Sequence, residues 1–311
     1  MKRLYIFFAS VAMLLAAVSA AQTTSEEFLR RYQLLSSKLG PAGLGIETLV
    51  QKWGESYPED RDMLTARFLY YFNKAQSSEV KPLDRRKWLG EDPVITLKDS
   101  LGRDVRYFQV LDFDDALFSQ AMEALDKAIR LNQAALDLRT TKVSALMAYE
   151  GESPDMAAQA LLALVDYNAV SHPSWTYNGE AVDENGFCDL IQQYCYALYK
   201  TGSPSSMEAF RSVSGKMNGY YPRNTGFLNN LGSYYLVYKE DGKTALKYYG
   251  KVFKIDPKDY VAAKNCVLLS RRNKDVKMEK KYLPILIESS PDENEKTAAR
   301  LRLDAINSSR K

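Results

Sequence analysis

Apolar positions along this chain recur at helical rather than strand spacing through most of its length. Phe28, Tyr32, Leu35 and Leu39 follow one another at steps of four and three, which predicts one buried helix face. Thr24 and Glu27 form a capping box ahead of that stripe, and Gly40-Pro41 stop it. Ile46, Val50 and Trp53 carry the pattern on to Pro58, and Leu64, Phe68 and Tyr71 open the next helix. Ala121, Leu125 and Ala128 lead to Gln133, and Phe187, Leu190, Ile191, Cys195 and Leu198 line a further face. Pro284 falls inside a helical stretch, where it predicts a kink or an early end. From Asn294 onward, Ala298, Leu301 and Ala305 predict a terminal helix that caps the last apolar face.

Two segments break this pattern. In the first, Val94 to Leu97 and Val105 to Val110 are strand-like, with "KDSLGRD" between them and Gly102 placed for a positive φ, so a β-hairpin is predicted. Asp112, Asp114 and Asp115 follow it and suit the start of a helix, as caps and as partners of its dipole. The second, residues 166–186, is aperiodic and holds the single histidine, His172, beside Trp175 and Tyr177. Long ordered loops are often functional. Two roles are open to this one: an aromatic contact surface, or a cover folded back over the helices.

The first residues read differently from the rest. Lys2 and Arg3 precede the apolar run Leu4 to Leu15, and small residues follow, the plan of a secretory signal peptide cut after Ala20 or Ala21. The run is too short to span a bilayer comfortably. Export to a periplasmic or extracellular compartment is expected, with no integral span after cleavage. The chain has 42 Lys and Arg against 39 Asp and Glu, and losing Lys2 and Arg3 brings the two nearly level. A nucleic-acid partner, which calls for a concentrated basic face, is therefore not expected. Cys188 and Cys195 lie seven apart in a predicted helix, about 10 Å between Cα atoms and too far for a bridge. Pairing of Cys266 with either of them stays open.

The strongest signal is a repeat. Pro222, Pro257 and Pro291 follow predicted helix ends at intervals of 35 and 34 residues. Inside one period, Leu228, Leu231, Gly232 and Tyr235 precede Ala245, Tyr249, Val252 and Pro257. Small residues at Gly232 and Ala245 let two helices approach, and the larger ones fill the space around them. The interval from Gly232 to Ala245 is one residue longer than this pattern expects, and the excess is assigned to the turn "YKEDGKT". That turn holds Gly242-Lys243-Thr244, the end of a phosphate-binding loop if a glycine stood at 237. Val237 stands there, after a Tyr-rich helix rather than a strand, so nucleotide binding is not expected.

These positions resemble the tetratricopeptide repeat family, and the order of parts is similar to secreted bacterial tetratricopeptide-like proteins of mostly unknown function. The resemblance implies an all-α fold, a right-handed α-solenoid of helical hairpins with one inserted β-hairpin. Its parts would be a signal peptide at 1–21, N-terminal repeat helices at 22–78, the inserted loop and hairpin at 79–112, central repeats at 113–222, and C-terminal repeats with a capping helix at 223–311. By the same resemblance the groove positions are Asn229, Ser233 and Leu236, with Gly226 before them and Lys264 in the next repeat. They would hold a peptide or protein partner, with Trp175 and Tyr177 adding specificity. A non-catalytic envelope scaffold without a cofactor or metal is thus expected. The alternative is a module that binds a small ligand or glycan on the Trp175–Tyr177 loop.

Overall fold

The computed structural model describes residues 23–308, so the leader and its cleavage point lie outside the described residues. The chain is mostly helical with two small antiparallel sheets, and it forms two compact units. Among the described residues no helix is long and apolar enough to cross a membrane.

The first unit holds α1 (Ser25–Leu39), α2 (Ile46–Ser56), α3 (Arg61–Ala75) and α4 (Asp115–Leu131). Thr24 caps α1 by accepting a hydrogen bond from the Glu27 amide, as the capping pattern predicts. Phe28 and Tyr32 are buried, but Leu39 is exposed at the end of the helix, where the chain turns away through Gly40. Trp53 is fully buried. Its ring stacks on Phe28 at 6.0 Å, and its Nε1–H donates to Ser25 Oγ at 2.9 Å. Ser25 in turn donates to Asp60, whose other carboxylate oxygen caps α3. One indole thus ties three helices together, and its polar edge is satisfied, as a buried tryptophan requires. Asp114 caps α4 by accepting from the Leu117 amide.

The second unit begins with a sheet of β1 (Gln76–Leu83), β2 (Ile95–Lys98) and β3 (Asp104–Phe113), in the order β1-β3-β2. The expected hairpin is β2–β3, with Ile95 opposite Tyr107 and Gly102 at φ +78°. The third strand, β1, has no counterpart in the sequence pattern, because "QSSEVKPL" shows no hydrophobic alternation and is exposed along most of its length. Next come α5 (Leu136–Glu150), α6 (Asp155–Ser171), the short hairpin β4–β5 (Thr176–Tyr177, Glu180–Ala181), α7 (Glu184–Thr201) and α8 (Pro204–Tyr220). Thereafter α9 (Thr225–Ser233), α10 (Gly242–Ile255), α11 (Tyr260–Arg272), α12 (Val276–Ser289) and α13 (Glu293–Ser308) complete the chain. Pro222, Pro257 and Pro291 each stand just after a helix end, as their spacing predicts. In both units every extensive helix contact joins helices one or two places apart in the chain. That nearest-neighbour pattern is what stacked repeats produce.

The excess residue between Gly232 and Ala245 is not in the turn. Tyr234–Tyr238 forms one π-helical turn at the end of α9, and a π-turn takes up an added residue inside a helix. What holds it there is Glu208 on α8. Its carboxylate accepts from Tyr234 OH at 2.5 Å, Lys239 Nζ at 2.9 Å and Arg211 Nε at 3.0 Å. The hydrogen bond from Tyr234, then that from Lys239, lowers the Glu208 carboxyl to about 2. A depressed acid stabilises the fold above its unfolded value near 4.5 and loses that contribution as pH falls towards 2. The unfolding free-energy difference between the native chain and Glu208→Gln is therefore expected to be constant above about pH 5 and to shrink towards zero near pH 2, as urea titrations across that range would read.

Close packing inside this repeat follows the small residues. A Cβ at Gly232 would lie 2.4 Å from the Tyr249 ring, and Ala245, Tyr249 and Val252 are fully buried. Asp241 caps α10 through the Thr244 amide, so Gly242-Lys243-Thr244 is a first helical turn. Two C-terminal expectations need correction. The α12 helix runs through Pro284 without ending, with that residue on the exposed side. The buried face of α13 carries Ala299 and Ile306, with Leu303 packed beside them, whereas Ala298, Leu301 and Ala305 are exposed. All three cysteines are buried free thiols, which excludes a Cys266 bridge in this fold. Burial pushes Cys195 and Cys266 each up to about 12.

Candidate functional site

The residues expected to line a groove in the second unit mostly join one repeat to the next. Asn229 is 6% exposed, and its Nδ2 donates to both carboxylate oxygens of Asp259, at 3.0 and 3.1 Å. Asp259 is the cap of α11, so this contact locks α9 to the start of the following repeat. Asn230 and Gln192 exchange amide hydrogen bonds at 2.9 Å between α9 and α7. Ser233 is half-buried, and its Oγ accepts from Asn265 Nδ2 at 3.4 Å. Leu236 is buried in the C-terminal core. Lys264 stands between Tyr260 OH at 2.9 Å and Glu295 at 3.1 Å, and those partners raise its ammonium pKa. Gly226 begins α9 beside Gln192.

The loop 166–186 is folded onto the second unit. Trp175 is 3% exposed, stacked on Phe187 at 6.2 Å and 5°, with Tyr167 at 5.8 Å and the Arg139 guanidinium 5.5 Å from the ring. No face of that indole is presented to a ligand. Tyr177 is half-buried in the β4–β5 hairpin, and His172 ends α6 in a left-handed conformation. Of its two open roles, the loop has the covering one.

A cleft of about 410 Å³ lies elsewhere, within the first unit. It crosses three helices: Glu47, Val50 and Gln51 from α2, Leu64, Arg67, Tyr70 and Tyr71 from α3, and Gln120, Glu123, Ala124 and Lys127 from α4. The volume lies in the range of ligand-binding clefts. At one rim Glu47 accepts from Tyr70 OH at 2.8 Å, and Lys74 Nζ donates to Tyr70 OH at 2.9 Å and to Glu47 at 3.3 Å. The Tyr70 hydrogen bond, then that of Lys74, holds the Glu47 carboxyl below its usual range. This rim is electrostatically complete.

Arg67 is not. It is half-buried and makes no ion pair or side-chain hydrogen bond among the described residues. Its guanidinium is seated against Gly54 on α2, where a Cβ would come within 2.3 Å of Nη2. None of this cleft follows from the sequence pattern. One signal is available there: a glycine inside a helix costs about 1 kcal/mol against alanine, and Gly54 in "QKWGES" has no role in the repeat.

Comparison with known proteins adds little here. The chain matches no protein-family profile, and no curated protein is significantly similar to it. The solved structure of the flexible tandem repeat domain of a bacterial cellulose synthase aligns over 92% of this chain and 98% of its own, at 14% identity and a TM-score of 0.27. At that score neither arrangement nor activity transfers to this chain.

Proposed function

We propose that this protein is a non-catalytic scaffold, a tetratricopeptide-like α-solenoid that is exported to the bacterial cell envelope and binds a peptide or protein partner. The observation that carries the reading is the pattern of helix contacts, which link only chain neighbours. Helices stacked in that way bury one side and leave a run of side chains open along the other. The cleft over α2, α3 and α4 is such an opening. The partner site belongs there rather than at Asn229 and Lys264, whose polar atoms are engaged inside the fold.

A photo-crosslinking amino acid at Gln120, on the cleft wall, tests this in the producing cells. A control at Tyr196, exposed on α7 in the other unit, reports non-specific contact. A discrete adduct formed from the Gln120 position alone is the expected result. Adducts of equal pattern from both positions, or none from either, would remove the cleft as a partner site.

A further inference from the structure

The charges of the cleft leave one cation unanswered. Glu47 is committed to Tyr70 and Lys74, and Gln51 donates its amide to Glu55 at 3.3 Å. Glu123 and Lys127 stand one turn apart on α4, and neither is in an ion pair. Arg67 lies between these walls, with the apolar Val50, Leu64 and Ala124 also lining the space. A guanidinium partly removed from water without a counter-charge is costly. Its planar fork of donors matches a carboxylate, which it grips with two parallel hydrogen bonds. Gly54 provides the seat, because any side chain there would displace the fork.

The rest of the lining narrows the ligand. Two carboxylates, Glu47 and Glu123, sit on the rims, and they repel a doubly charged phosphate more strongly than a single carboxylate. Gln51 and Gln120 offer amides of the kind that pair with peptide backbone. We propose that the cleft binds a peptide segment through one carboxylate, from an acidic side chain or a free C-terminus, held by Arg67. This rests on the reading of the protein as a peptide-binding scaffold and adds the chemistry of the peptide.

The test uses the full chain without its leader and fluorescently labelled heptapeptide pools. The central residue is fixed as Glu, Gln or Lys, each pool with a free or amidated C-terminus, and binding is read by anisotropy. At least one carboxylate-bearing pool is expected to bind about tenfold or more tighter than the amidated Gln pool. The pool that gains identifies the source: a gain for Glu means a side chain, a gain for free ends a C-terminus. Arg67→Gln should abolish the preference and Arg67→Lys keep part of it, with unchanged thermal midpoints. Gly54→Ala should weaken binding while melting no lower than the native chain, since alanine favours the helix. Binding without preference for a carboxylate, or a preference that survives Arg67→Gln, overturns the proposal and leaves the scaffold reading standing. No binding by any pool overturns both.

Discussion

Trp175→Ala is expected to lower the unfolding free energy by about 3–5 kcal/mol, the range for deleting a large aromatic from a packed interior. The indole is a contact that several elements share. It stacks on Phe187 at the start of α7, meets Tyr167 on α6, and lies under the Arg139 guanidinium of α5. Its Nε1–H donates to Asn168 Oδ1 at 2.7 Å, while the Asn168 amide donates to Tyr221 OH at 2.6 Å. Deletion opens a cavity and also leaves a buried amide oxygen without its donor, an added cost of about 1–3 kcal/mol where water cannot reach. The loop backbone depends on the same residue: Trp175 O accepts from the Val182 amide, and Thr176 N donates to Ala134 O, both at 2.9 Å. Urea unfolding followed by far-UV circular dichroism should therefore show a lower midpoint at nearly constant slope. Trp175→Phe keeps most of the stack but not the donor, and should fall between the two. A loss below about 1 kcal/mol for the alanine variant would mean that the loop is not part of the core.

How far such features can be read from the sequence depends on whether their cause is local. Gly232, Ala245 and Tyr249 are legible because a close helix crossing needs small residues at set offsets, and the offsets stand in one stretch of chain. The proline period is legible for the same reason. The extra residue before Ala245 is legible as a count, but its place is not. It is drawn into α9 by Glu208, 26 residues upstream of Tyr234. The register of α13 misleads because its buried face carries Glu295 and Arg302 between Ala299 and Ile306, so the apolar stripe looks to be one position over. An aromatic loop reads the same whether it binds a ligand or covers a core, and only the partners of Trp175 decide. The cleft is the least legible of all: its signal is the side chain that Gly54 lacks, opposite an arginine on another helix.

Removing both Arg271 and Arg302 should cost about 3–5 kcal/mol at neutral pH, whereas Glu279→Met should stay within about 1 kcal/mol of the native chain. The asymmetry comes from where the charges lie. The Glu279 side chain is 2% exposed, while those of Arg271 and Arg302 are each 45% exposed. Arg302 grips the carboxylate with Nε at 2.9 Å and Nη2 at 2.7 Å, and Arg271 Nε adds a bond at 2.7 Å. One acid thereby holds α11, α12 and the terminal α13 together. Take away the acid, and both guanidinium groups return to water while methionine fills the space. Take away the arginines, and an ionised carboxylate is left buried without a counter-charge. The two cases also differ in pH dependence. In the native chain the Arg302 hydrogen bonds hold the Glu279 carboxyl below its usual value, so its contribution is present above that value and lost as pH falls. Without the arginines, burial alone acts and raises the carboxyl, so the penalty is full at neutral pH and relieved as the acid protonates on the way down. The deficit of Arg271→Ala/Arg302→Ala measured by urea unfolding should therefore shrink between pH 7 and about pH 4, with amide exchange in α13 reporting the loosened cap. Equal losses for Glu279→Met and the double arginine variant, or a deficit independent of pH, would show that the carboxylate is not the buried charge that anchors the final helix.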